Sequence, residues 1–148
     1  MNKLLTTNYK LLIFNSMDKI SIHTSKRTEF IDIASKVEKI VKDSKVKDGL
    51  CIVFCPHTTA ALTINENADP SVQKDIIKHL EELVPAGKSY AHSEGNSDAH
   101  IKSSLLGISL NIIIENGGLI LGTWQGIYFC EFDGPRSRGI WVNIIEKK

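Results

Sequence analysis

The sequence predicts an α+β fold: a single domain of largely antiparallel β-sheet layers with about three helices. Three observations predict it. About seven short apolar runs have strand character, the β-rich last third leaves no room for crossover helices, and three helical stretches carry recognisable caps or stops. No internal repeat, low-complexity tract or Pro/Ser-rich linker divides the chain.

Residues 1–16 read as an N-terminal extension in which "YKLLIF" has the composition of an edge strand, with Met17 as a natural start and the domain running over 17–148. "KISIHTS" puts Ile20 and Ile22 on one face of a half-buried strand. Thr28 caps a helix through about residue 43, with Ile33, Val37, Ile40 and Val41 as its apolar stripe. "LCIVFC" is apolar on both faces, as a central strand is, and "TAALTI" follows after the break at Pro56-His57-Thr58. Asp69-Pro70 opens a second helix with a capping carboxylate and a proline at the first helical position; Val72, Ile76, Leu80 and Leu83 carry its stripe to Pro85. A third helix covers Asp98 to Leu106, packs through Ile101 and Leu105, and stops at Gly107. "SLNIIIENGGLILGTW" holds two strands joined at Asn116-Gly117-Gly118. "QGIYFCEF" and "GIWVNII" complete the set around the turn Asp133-Gly134-Pro135.

Composition narrows the function classes. Hydrophobic residues at 42% and charged residues at 24% are ordinary for a globular domain. Lys plus Arg number 18 against 17 for Asp plus Glu, without the basic excess of a general nucleic-acid binder. No apolar stretch approaches the ~20 residues of a membrane span. Cys51, Cys55 and Cys130 are odd in number and match no redox or zinc spacing, so they read as buried small hydrophobes in a reducing, cytoplasmic compartment.

Three segments carry residues suited to chemistry. In "CPHTTAALTINENADP", His57 sits at a strand end, and Asn65-Glu66-Asn67 precede a helix N-terminus that suits an anion; the alternative is a structural histidine and a closed turn. In "SYAHSEGNSDAHIKSSLLG", Asn96, His100 and Ser104 share one helix side at i, i+4 spacing. Gly95 permits a reversal that brings His92 back to His100, and Asp98 complements the helix dipole from the first turn. His57, His92 and His100 would form a three-nitrogen metal set with an open position. In "LGTWQGIYFCEFDGPRSRG", alternation puts Gln125 and Glu131 on one strand face and Tyr128, Cys130 and Phe132 on the other. Arg136 and Arg138, two apart, either grip a phosphate or stand as solvated charges.

Together "HTTAALTINENADP", "H-x-EGN-x-x-AH-x-KSSLLG" and "LGTWQGIYFCEFDGPR" closely resemble the YjbQ-like family, often labelled secondary thiamine-phosphate synthase, from about Asp18 to Ile145. The resemblance implies a homotrimer with sites near subunit boundaries and histidines that hold a divalent metal such as zinc, with no organic cofactor. Its implied activity joins a pyrimidine diphosphate to a thiazole phosphate and releases pyrophosphate. On this chain it points to His57, His92 and His100 for metal or acid–base work, and to Glu66 and Glu131 as bases or as partners that orient the residues in contact with metal or substrate. Asn65, Asn96, Gln125, Arg136 and Arg138 would bind a phosphorylated small-molecule substrate. Metal-assisted hydrolysis of a phosphorylated small molecule, or a non-catalytic ligand- or metal-binding trimer, are the alternatives; neither nucleic acid nor membrane is an expected partner.

Overall fold

The computed structural model describes residues 17–87 and 89–148. The edge strand expected within residues 1–16 lies outside them. In chain order the elements are β1 (Asp18–His23), β2 (Glu29–Asp32), α1 (Ala34–Ser44), β3 (Gly49–Phe54), β4 (Ala60–Glu66) and α2 (Pro70–Leu83). Then come α3 (Ser97–Leu106), β5 (Ser109–Glu115), β6 (Gly118–Leu119), β7 (Gln125–Glu131) and β8 (Ser137–Glu146). A five-stranded sheet has the order β1-β8-β3-β5-β6 and a three-stranded sheet β2-β7-β4, all pairings antiparallel. The α+β class is the one the sequence predicts.

Strand β7 explains how the layers join. Ile127 and Phe129 enter the main core with Leu62, Val37, Val41, Val53 and Ile140. Tyr128, Cys130 and Phe132 face the other way, into a second cluster with Ala61 and Ala99. Both faces of β7 are therefore covered, the inner face of the five-stranded sheet on one side and the helical layer on the other. At the β5–β6 hairpin, Asn116 (φ 53°) and Gly117 (φ 80°) both adopt the left-handed backbone of a two-residue turn, as Asn-Gly predicts. Asp69 caps α2 by accepting from the Ser71 N–H at 2.8 Å, with Pro70 beginning the helix. Among the described residues no helix is long and apolar enough to cross a membrane.

Four expectations fail, each for a physical reason. Thr28 caps no helix, because Glu29–Asp32 pair with β7 and α1 starts only at Ala34. Phe30 packs against Tyr128 and Phe132 at ring-centroid distances of 6.3 and 6.2 Å, a contact that helical backbone at this position would forfeit. "GLILGTW" contributes two paired residues, not a full strand. Leu83, expected on the buried stripe of α2, is exposed, and α2 buries no residue fully.

The fourth is the most consequential: α3 is turned inside out. Its buried residues are Asp98, Ala99, Lys102 and Ser103, while Ile101 is 39% and Leu105 57% exposed. Small side chains let the helix approach β4 closely, and the Ser103 hydroxyl donates to the Ala60 carbonyl at 2.6 Å.

Candidate functional site

The turn before α3 forms as its residues predict. Gly95 (φ 74°) donates its N–H to the His92 carbonyl, and the reversal brings the His92 and His100 rings edge to face, centroids 5.4 Å apart. Asn96 is the residue preceding the helix; its Nδ2 donates to Asp133 at 3.0 Å, while its buried Oδ1 has no hydrogen-bond partner among the described residues. Asp133 also accepts from Arg136 at 2.7 Å. The Arg136 side chain is 48% exposed, so one guanidinium borders the wall of His92, Asn96 and His100.

Two buried ion networks hold this wall. Asp98, wholly buried, receives both guanidinium arms of Arg27 at 2.9 Å and the Lys102 ammonium at 3.0 Å. Burial opposes its charge, but hydrogen bonds and charge from Arg27 and Lys102 outweigh that and hold its pKa down to about 2. Asp98 is thus an interior anchor, more than the dipole partner the sequence suggests. Glu131, also wholly buried, accepts from Arg138, Thr24 and the backbone N–H groups of Phe132 and Asp133. Arg138 spends its remaining reach on the Thr59 hydroxyl at 2.8 Å, and its side chain is 6% exposed. Gly134 is required in this turn, since a Cβ there would lie 2.3 Å from the Lys26 carbonyl oxygen.

These contacts correct two expectations. Glu131 has its carboxylate filled by protein donors and is a clamp, not a base open to substrate. Arg138 is locked to Glu131, so the two arginines do not grip one phosphate; Arg136 lies in the turn before β8 and is half exposed, whereas Arg138 lies within β8 with its side chain buried. Arg27, Lys102 and Thr24 are not among the residues that the sequence singles out. The legible signal was the i, i+4 spacing of Asp98 and Lys102, which lets a helix bury both charges as a pair.

His57 takes the structural alternative. Pairing of β3 with β8 stops at Phe54–Trp141, leaving the Gly139 main chain open on that side. His57 Nε2 fills the gap, 2.9 Å from the Gly139 carbonyl oxygen and 3.2 Å from its nitrogen. Burial first, and the Arg138 charge second, lower the His57 pKa from 6.5. The unfolded chain therefore binds the proton more readily, so this histidine's contribution is present above pH 6.5 and is lost as pH falls through its lower folded value. Urea midpoints measured from about pH 5 to 7 should rise with pH, and His57→Gln should flatten that rise; parallel slopes would contradict the assignment.

The remaining candidates sit elsewhere. Glu66 pairs with Gln125 at one end of the β4–β7 ladder, whereas Ala60 pairs with Glu131 at the other. Six residue steps separate the ends, roughly 20 Å. Asn65, Glu66 and Gln125 therefore do not join the wall of His92 and His100 within one chain. At their end, Asn67 is a latch: Tyr128 donates to its Oδ1 at 2.5 Å, and its Nδ2 donates to Asp32 at 2.7 Å. Asn65 Oδ1 accepts from the Glu66 N–H at 2.8 Å. Among the described residues no three His, Cys, Asp or Glu groups converge on a metal position, so the expected His57–His92–His100 set is not assembled in one chain.

Comparison with known proteins places this architecture. The family described as "UPF0047 protein YjbQ-like" matches residues 18–147. A UPF0047 protein of Methanocaldococcus jannaschii is 54% identical over 138 residues, covering 93% of this chain and 100% of the relative. UPF0047 protein YugU of Bacillus subtilis is 50% identical over 127 residues, 85% of this chain and 96% of its own. Among solved structures, a YjbQ/UPF0047 family protein of Clostridium acetobutylicum superposes with TM-score 0.85 at 58% identity, over 86% of this chain and 99% of that one. A YbjQ-like protein of Sulfolobus solfataricus gives TM-score 0.86 at 35% identity, over 89% and 97%. The match in sequence and in fold along nearly the whole described chain means that this protein belongs to the YjbQ-like UPF0047 family.

Proposed function

We propose that the chain is a cytoplasmic enzyme acting on a phosphorylated small molecule at the wall of His92, Asn96, His100 and Arg136. The proposed reaction is of the thiamine-phosphate type: a pyrimidine diphosphate condenses with a thiazole phosphate. The bond from the pyrimidine's carbon to the diphosphate oxygen breaks, a carbon–nitrogen bond to the thiazole ring forms, and pyrophosphate leaves with the electron pair. The observation that carries this reading is the meeting of two imidazoles beside a buried, unpartnered amide oxygen and a half-exposed guanidinium.

Arg136 would bind the diphosphate and stabilise the charge that grows on it as it departs. Asn96 Oδ1 would accept a hydrogen bond from the pyrimidine's amino group, and an imidazole would protonate the leaving oxygen. A divalent metal, zinc first, fits this wall in part. His92 and His100, with ring centroids 5.4 Å apart, are the residues that would hold it. His57 supplies no third ligand from its place on Gly139, so the remaining positions would fall to water, substrate or another copy. When bound, the ion would act as a Lewis acid toward the diphosphate. Assembly as a homotrimer belongs to the same reading. The cytoplasmic setting is supported by three buried free thiols, with burial pushing Cys51 up to about 12 and Cys55 to about 11.

The test is pyrophosphate release by purified protein, stripped of metal and reloaded with zinc. Release is expected only with both precursors present. His100→Ala is expected to cut it by roughly 10²-fold or more with little change in melting temperature, since the half-buried ring leaves no core cavity. Phosphate release from simple esters without a second substrate would replace condensation by hydrolysis. Unchanged turnover in His100→Ala would remove the wall from the chemistry.

A further inference from the structure

Where the C-terminus of α1 meets the β5–β6 hairpin, the fold encloses a cavity of about 560 Å³, a volume typical of small-molecule sites. Val41 and Val46, only 1% and 4% exposed, form its apolar floor together with Leu119. Lys42, Lys45 and Lys47 stand around it, and Glu38 is the one acidic side chain among the lining residues. Among the described residues none of these three lysines makes an ion pair, although Lys39 on the same helix pairs with Asp43. The Asp48 carboxylate, next to Lys47 in the chain, instead accepts from the Asn116 N–H at 3.3 Å.

Two details set these lysines apart from solvated charges. Lys45 ends α1 at φ 63°, a left-handed backbone that glycine adopts freely and other residues adopt at a cost. A side chain is kept there although its absence would relieve the backbone. Lys47 reaches in from the segment after the helix: its Nζ lies 3.9 Å from where a Cβ on Gly117 would stand, so the ammonium rests over the hairpin turn. The negative end of the helix dipole accounts for Lys42 in the last turn, but not for Lys47 beyond it.

We propose that this cavity binds an organic phosphate monoester at a site separate from the histidine wall. Three ammonium groups against one carboxylate leave an excess of two positive charges, which matches the nearly dianionic phosphate of a monoester at neutral pH. Lysine serves such a group as a point-charge partner. Inorganic phosphate alone would leave most of the volume empty, and the valine and leucine floor suits an apolar body such as an aromatic base. The cavity flanks the end of the sheet where Gly49 pairs with Glu146, whereas Arg136 precedes the opposite end of β8. The length of β8 between them is roughly 30 Å, so this site rests on none of the chemistry proposed for the histidines.

Calorimetric titration of the full chain with adenosine 5′-monophosphate at low salt tests the proposal. One saturable site per chain is expected, with adenosine and inorganic phosphate each binding at least about tenfold more weakly. Lys47→Ala is expected to weaken binding roughly three- to fivefold. Lys45→Gly is expected to weaken it to a similar degree while keeping or raising the melting temperature, because glycine suits the left-handed position. No saturable binding at millimolar concentration, or unchanged affinity in both lysine variants, overturns the site. A loss of affinity in Arg136→Ala with none in Lys45→Gly and Lys47→Ala also overturns it, by placing the nucleotide at the histidine wall.

Discussion

Asp98→Asn is expected to lower the unfolding free energy by about 3–5 kcal/mol, measured by urea denaturation near neutral pH. Asp98 is wholly buried and is the anion that Lys102 and Arg27 share. Lys102 has only 1% of its side chain exposed, so an amide at position 98 leaves an ammonium in the interior with no countercharge. Arg27 is 42% exposed and can recover its hydration by swinging outward, so most of the cost falls on Lys102. The diagnostic companion is Asp98→Leu with Lys102→Met, which removes both interior charges and is expected to come within about 1–2 kcal/mol of the wild type. A double variant no better than Asp98→Asn alone would place the cost in packing rather than charge. Acid should reproduce the single variant in part. The folded pKa of about 2 lies below the ordinary 3.8, so the unfolded chain takes up the proton first. Stability from this group is complete above about pH 4 and is lost as pH falls toward 2, on the order of 2 kcal/mol.

How much of this was legible in the sequence depends on whether local pattern and tertiary contact agree. They agree in β7, where the alternation that separates Ile127 and Phe129 from Tyr128 and Cys130 divides them between two clusters. They agree at Asn116-Gly117 and Asp69-Pro70, where backbone preference fixes a turn and a helix start. They conflict in α3. Ile101 and Leu105 are the residues that hydrophobicity assigns to the core, yet an ion pair at i, i+4 and two small residues at 99 and 103 take the inward face. Side-chain hydrophobicity alone cannot weigh an interior salt bridge against an apolar stripe.

The candidate site was legible only in part. His57 and Glu66 were grouped because they are neighbours in the chain, but the strand β4 between them carries the chain from one end of the ladder to the other. Extended backbone separates what a short sequence segment joins, by about 3.3 Å per residue. Gly95, in contrast, folds the chain back within a few residues, and His92 and His100 do meet.

Glu131→Gln is expected to cost about 3–5 kcal/mol as well, for the related reason that Arg138 would remain buried without its carboxylate. Its consequences for the site should be larger than those of Asp98→Asn. The Glu131 carboxylate gathers Arg138, the Thr24 hydroxyl and two consecutive backbone N–H groups, fixing the turn that carries Asp133 and Arg136. An amide keeps the shape but turns one acceptor oxygen into a donor, which then faces an N–H or a guanidinium. Arg138→Lys should not be mild either, because an ammonium cannot reproduce the paired guanidinium contacts to Glu131 and the further one to Thr59. A double-mutant cycle of Glu131→Gln with Arg138→Gln, read by urea unfolding, should return a coupling of about 2 kcal/mol or more. Additive losses would mean that the two side chains stabilise the turn independently and that the clamp is not a unit.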